Sequence, residues 1–227
     1  MKTNYKLYAT FAIAVAIVQC CSSQSFVNLD FESANVSGYS PGSVPAQNAF
    51  PSWSAYYGSP SDPTLSGALS SVGYDAISTG GAVISLQDSN AFAPYGPIQG
   101  DYSVLLEGSI PAADTTASIG QTGTISSTAQ SLVFWAGISE PEVSFDGQAL
   151  SLVDVSNAVN YTVYAANISP FAGETGQLLF TAPVHTETVL DNIQFSSSPV
   201  PEPSTLPLCA LGSFSLAWRR WRKKLSA

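Results

Sequence analysis

The sequence predicts an all-β chain folded as an antiparallel β-sandwich, and three observations carry that prediction. A series of short runs between residues 82 and 195 is rich in β-branched and aromatic side chains and punctuated by Gly, Pro, Asn and Asp. No long stretch between the two ends shows helical apolar periodicity. Asp146-Gly147 stands between two of the runs and is the dipeptide of a two-residue hairpin turn. Strands this short, at this spacing, bury their apolar faces by packing one sheet on another.

In chain order, Lys2 and Lys6 precede an apolar run from Leu7 to Val18 and then Gln19-Cys20-Cys21-Ser22-Ser23-Gln24-Ser25. Charged, apolar and cleavage regions in that order make residues 1–25 a secretory signal peptide, the substrate of a signal peptidase. Ser23 and Ser25 favour a cut before Phe26; Cys21 and Ser23 favour one before Gln24. Lipidation at Cys20 or Cys21 is a further option, against which stands Gln19 where a small residue is wanted.

Phe26 to Glu32 alternates, with Val27, Leu29 and Phe31 on one face and Asn28, Asp30 and Glu32 on the other, which predicts a first strand. Residues 33–81 are rich in Gly, Pro and Ser, with Trp53, Tyr56 and Tyr57 clustered; the stretch is too long for a plain loop and predicts hidden short strands. Further strands are expected over Ala82–Leu86, Tyr102–Glu107, Ala117–Thr122, Ser131–Ala136, Val143–Phe145, Gln148–Val153, Tyr161–Ala165, Gln177–Thr181 and Thr188–Phe195, with one short helical turn within Asn167–Gly173.

The chain ends on a polar break, residues 197–205, that contains Val200-Pro201-Glu202-Pro203. An apolar segment from Leu206 to Trp218 follows, and then a cationic stop of Arg219, Arg220, Arg222, Lys223 and Lys224. Thirteen residues make a helix of roughly 20 Å at ~1.5 Å per residue, short of a bilayer core of about 30 Å. A marginal span of this kind suits a handle that engages the inner membrane transiently and is then cut away; a permanent anchor is the alternative. The tail resembles the PEP-CTERM sorting signal of Gram-negative bacteria that make extracellular polysaccharide. The resemblance implies processing by an exosortase-type enzyme and a destination at the cell surface or in the extracellular matrix.

Charge is segregated in the same sense. All seven Lys and Arg residues lie in the two ends, and all sixteen carboxylates lie between Phe26 and Pro203. Basic flanks stay on the cytoplasmic side, so the segment between them is the part that is exported. The exported segment from Phe26 to Pro203 has charge −16 and His185 as its one basic side chain. Without Lys or Arg to neutralise phosphates, nucleic acid is excluded as a partner. Of the three cysteines, Cys20 and Cys21 go with the signal peptide and Cys209 with the tail, so stability must come from packing rather than disulfides.

The order of an opening NLDFE, Pro51 with Trp53, FDGQ, the segment Ile168–Phe180 and a closing LDNIQF resembles the galactose-binding-like jelly roll shared by many carbohydrate-binding modules. That resemblance implies a sandwich, residues 26–196, whose first and last strands are neighbours. It also implies a structural calcium ion held by Glu32 and Asp191, with Asp30 as a further candidate. By period two, Asp191 falls on one face of the last strand with Val189, Ile193 and Phe195. A carboxylate on an inward face needs a partner, and no Lys or Arg exists to supply one. Backbone donors, His185, a raised pKa or a hard cation such as calcium remain, as does a strand-end Asp turned to solvent.

For the expected extracellular polysaccharide, Trp53, Tyr56 and Tyr57 are the candidate ligand-binding residues, since flat rings stack on the apolar faces of sugars. Tyr95 and Trp135 are further aromatic candidates, with core packing the competing role for Trp135 in SLVFWAG and for Trp53. Catalysis has little to stand on. Glu140 and Glu142 flank Pro141 as a loop pair, the one histidine lies in APVHTET, and no nucleophile-elbow motif occurs. The expectation is therefore a non-catalytic surface or matrix protein that associates with extracellular polysaccharide. A structural or adhesive protein with protein partners and a glycan hydrolase are the alternatives.

Overall fold

Two sheets pack face to face in the computed structural model, which describes residues 25–110 and 114–200. The predicted signal peptide up to Gln24 lies outside the described residues. So does the sorting tail from Pro201 onward, with Pro201, Glu202, Pro203, the apolar helix and Arg219, Arg220 and Arg222. The strands are β1 (Gly42–Pro45), β2 (Ser54–Gly58), β3 (Ser71–Tyr74), β4 (Val83–Gln87), β5 (Ser103–Glu107), β6 (Thr116–Thr124), β7 (Ser131–Ile138), β8 (Glu142–Phe145), β9 (Gln148–Ala149), β10 (Leu152–Asn157), β11 (Thr162–Asn167), β12 (Thr175–Ala182) and β13 (Glu187–Ser196). One sheet runs β1-β3-β4-β5-β13-β7-β11-β10 and the other β2-β6-β12-β8-β9, giving a β-sandwich of jelly-roll type.

The core lies between the sheets, where alternate residues of each strand meet. Phe134 of β7 packs edge-on against Phe180 of β12 with ring centroids 5.1 Å apart, and Trp53 joins Phe31 at 5.5 Å and Phe180 at 6.4 Å. Ile84, Leu86, Val104, Leu106 and Leu190 complete this layer from the larger sheet. The Asp146-Gly147 turn joins β8 to β9 with φ of 47° and 77°, the left-handed pair that such a hairpin requires.

Several expectations are corrected. Phe26–Glu32 is not a strand: Asn28 and Phe31 adopt φ of 51° and 61°, Phe26 and Phe31 are buried, and Val27 is exposed. A side-chain amide takes the place of a partner strand, since Val27 N–H donates to Gln121 Oε1 and Gln121 Nε2 donates to Val27 C=O. The segment does lie beside the last strand, where Ile193 N–H donates to Leu29 C=O and Phe26 packs 5.1 Å from Phe195. The stretch 33–81 holds β1, β2 and β3 together with a four-residue helix, Ala46–Ala49. β3 and β4 pair in parallel, the exception to the antiparallel rule among the described strands. The predicted strand Gln148–Val153 is split between β9 and β10.

β13 departs from simple alternation. Its pairing with β7 slips between Asp191 and Gln194, and Asn192 there has φ of 48°. This bulge puts Leu190 and Ile193 into the core and leaves Val189 and Asp191 on the opposite, outer face. That outer face is nonetheless buried: Ser85, Leu105, Val189 and Asp191 are all covered. Ala76 N–H donates to Ser85 Oγ at 3.1 Å on one side, and the long connection Asp88–Asp101 between β4 and β5 runs over β13 and β7 as a strap.

Candidate functional site

Carboxylates hold the strap down. Gln99 N–H donates to Asp191 Oδ2 at 2.8 Å, and Asn192 N–H donates to Asp191 Oδ1 at 2.6 Å. Asp101 N–H and Tyr102 N–H donate to Glu32 Oε1 at 2.9 and 3.1 Å. Gly100, at φ of 65°, lies so close to Glu32 that a Cβ there would overlap its carboxylate. Further along, Tyr95 O–H donates to Glu187 Oε2 at 3.0 Å. With no Lys or Arg in this part of the chain, backbone N–H and phenol O–H groups supply the donors.

Asp191 is fully buried. Burial pushes its carboxyl up to about 7; the Glu32 charge adds to the rise, and the amide protons of Gln99 and Asn192 oppose it. Of the partners open to Asp191 on sequence grounds, the structure shows backbone donors and a raised pKa, while His185 is exposed at a left-handed turn. Glu32 and Asp191 thus reach one strap from opposite ends of the chain. Asp30 does not join them: it is exposed, and its Oδ1 accepts from Glu32 N–H at 3.4 Å. Glu107 faces Glu187 directly across β5 and β13. Burial and then the Glu187 charge raise the Glu107 carboxyl, while the Ser78 N–H opposes at 2.7 Å. The same neighbourhood pushes Tyr95 up to about 12, through burial first and its bond to Glu187 second.

The predicted aromatic residues do not form one platform. Trp53 is 5% exposed, inside the core, with its indole N–H donated to Asn28 C=O at 2.8 Å. Tyr56 and Tyr57, neighbours on β2, point to opposite faces. Tyr57 packs against the core, while the Tyr56 hydroxyl accepts from Gln177 Nε2 at 3.2 Å. Trp135, a stacking candidate for which core packing is the competing role, lies outside the core. It lies half-buried on the outer face of β7, stacked on Tyr161 at 4.6 Å with 15° between the rings. Beside Tyr161 a groove of about 290 Å³ opens between the strap and the sheet. Glu140 and Glu142 are both exposed, at the mouth of a separate hollow over the smaller sheet.

Residues 199–223 match the PEP-CTERM protein-sorting motif. The chain carries an exosortase-sorting signal. With that PEP-CTERM signal goes export, to the cell surface or beyond it. Among the described residues no helix is long and apolar enough to cross a membrane.

Three solved structures are similar to the chain at low identity. The enzymatically active domain of tailspike protein 4 from bacteriophage CBA120 is 13% identical with a TM-score of 0.40, covering 76% of this PEP-CTERM chain; the chain spans about a fifth (21%) of the tailspike. A Stig cyclase, Fisc, from Fischerella sp. TAU is 14% identical with a TM-score of 0.48, covering 78% of this chain and 98% of its own. TmCBM61, solved with β-1,4-galactotriose, is 13% identical with a TM-score of 0.39, covering 77% of this chain and 99% of its own. No curated protein sequence matches the chain.

Proposed function

We propose that this is an exported, non-catalytic surface or matrix protein, trimmed by an exosortase-type enzyme, whose sandwich associates with extracellular polysaccharide. The sorting motif at residues 199–223 carries the reading, because it stands behind a sandwich that contains no Lys or Arg. Such a domain has no means of gripping nucleic acid or an anionic membrane. The half-buried Trp135–Tyr161 stack on its outer face supports a sugar partner, since flat rings suit pyranose faces. Two measurements test this together. The mass of the mature protein from surface and culture fractions should show both ends removed, and a pull-down should recover the protein on the host's own polysaccharide. Capture by surface proteins instead of polysaccharide would move the reading to an adhesive role, and a full-length chain in the cytosol would end it.

A structural calcium ion belongs to the same proposal, held by Glu32 and Asp191. The donor set suits a hard cation in part: two carboxylates approach one strap, and Asp191 is too buried to ionise without help. Ser103 Oγ and Gln87 Oε1, which face each other across β4 and β5, are buried without a hydrogen-bond partner. One residue beyond the Leu190–Val104 pair, Asp191 comes level with Ser103. Among the described residues no three His, Cys, Asp or Glu side chains cluster, so the remaining ligands would be neutral oxygens. Removal of divalent ions with a chelator should lower the melting temperature, and an unchanged melt would dismiss the ion.

A further inference from the structure

We propose that the groove between the strap and Tyr161 binds an uncharged hexose-based glycan; this rests on the polysaccharide reading and gives it a place and a sugar class. Pro94, Pro97 and Ile98 of the strap form one wall, Val189 and Gly137 the floor, and Asn160 with Tyr161 the other wall. The floor is open because residue 137 is glycine: a Cβ there would point between Val189 and Ile98, 3.7 and 3.8 Å away, and would press within 2.9 Å of the Asn160 carbonyl. At about 290 Å³ the space lies near the lower end of ligand sites, ~300 Å³ and upward, and suits a short sugar segment.

Its chemistry is that of a sugar site. Tyr161 is held flat by its stack on Trp135, so its ring is pre-organised before any ligand arrives. Asn160 and strap backbone groups offer donors and acceptors to hydroxyls. Phe92, 70% exposed, stands between the lining residues Ala91 and Ala93; Ile138, 46% exposed, and Val159, fully exposed, line an adjacent hollow that shares Asn160 and Tyr161. Ile138 also takes φ of 73°, which a β-branched residue rarely adopts, so the surrounding fold imposes this placement.

The charge around the groove selects the class. Glu187 lies two positions before the floor residue Val189 on the same face, the domain around it is acidic, and no Lys or Arg occurs from residue 25 to 200. A uronate or sulfated chain would bring its negative charges to an acidic surface without Lys or Arg to attract them. A neutral hexose meets no such barrier and stacks its C–H face on Tyr161.

Affinity electrophoresis of the mature protein through gels holding neutral glucan, neutral galactan or polyuronate tests this. Retardation by a neutral gel is expected, about tenfold weaker in Tyr161→Ala and several-fold weaker in Phe92→Ala, an exposed site that cannot disturb the core. Tyr39→Ala, just ahead of the opposite edge strand β1, should migrate as wild type. Neutral-glycan retardation that survives both groove substitutions overturns the groove and leaves the polysaccharide reading standing. Retardation by polyuronate alone overturns the sugar class. Retardation by none of the gels overturns both proposals.

Discussion

Replacing Asp191 by Asn removes a charge from a fully buried position without changing its shape. The unfolded chain releases this proton near pH 3.8, whereas the folded protein keeps it up to about pH 7. The resulting stabilisation is whole below pH 3.8 and is lost progressively as pH rises to about 7. A difference of about three pKa units at ~1.36 kcal/mol each amounts to roughly 4 kcal/mol, or about 10 °C in melting temperature for a domain of this size. Glu107 and Asp75, whose carboxyls are also raised chiefly by burial, act with the same sign in both proteins and cancel in the comparison. Thermal melts of wild type and Asp191→Asn between pH 4 and 8, in chelator, should therefore diverge, with wild type falling more steeply than the variant as pH rises. Adding calcium at pH 8 should restore wild type and leave the variant unmoved, because the ion and the proton neutralise the same carboxylate. Parallel pH profiles in chelator would refute the assignment of this cost to Asp191.

Other substitutions follow from the packing and the tail. Phe180→Ala empties a fully buried site against Trp53 and Phe134 and should cost about 3–5 kcal/mol in urea unfolding. Gln121→Ala removes both bonds to the Val27 backbone; a loss of about 1–3 kcal/mol and faster proteolysis ahead of Asn28 are expected. Changing Arg219, Arg220 and Arg222 together to Ala should leave the tail uncut, read as a higher mass of the surface-derived protein.

Much of the sandwich is legible in the sequence because its strands after residue 82 alternate or form β-branched runs bounded by turn residues. The Asp146-Gly147 hairpin is legible for a more local reason, since both residues tolerate the left-handed backbone they adopt. Phe26–Glu32 misleads because alternation alone does not reveal that a side-chain amide will satisfy the backbone. β13 misleads because a bulge at Asn192 reverses which residues face inward, and no short-range signal marks it. The Trp135–Tyr161 stack and the groove were hidden for a related reason: an apolar run such as SLVFWAG reads as core on both faces. Here its outer face is only half covered, by a loop remote in sequence. The length of Asp88–Asp101 and its Pro94 and Pro97 were the available signal, since a long proline-bearing connection inside a compact domain commonly has a role of its own.

The lack of basic residues explains why the strap exists in this form. In a chain with Lys and Arg, buried carboxylates tend to find cationic partners; here Glu32, Asp191 and Glu187 take N–H and O–H donors from the strap. An edge of backbone N–H groups comes most readily from a loop, so each carboxylate draws the same connection over the sheet. The wall of the groove is therefore fastened by carboxylates of an acidic domain whose net charge disfavours anionic ligands. Removing their acceptor oxygens one by one should loosen the strap before it unfolds the sandwich, because the core of Phe134, Phe180 and Trp53 lies on the other side of the sheet and shares none of those bonds.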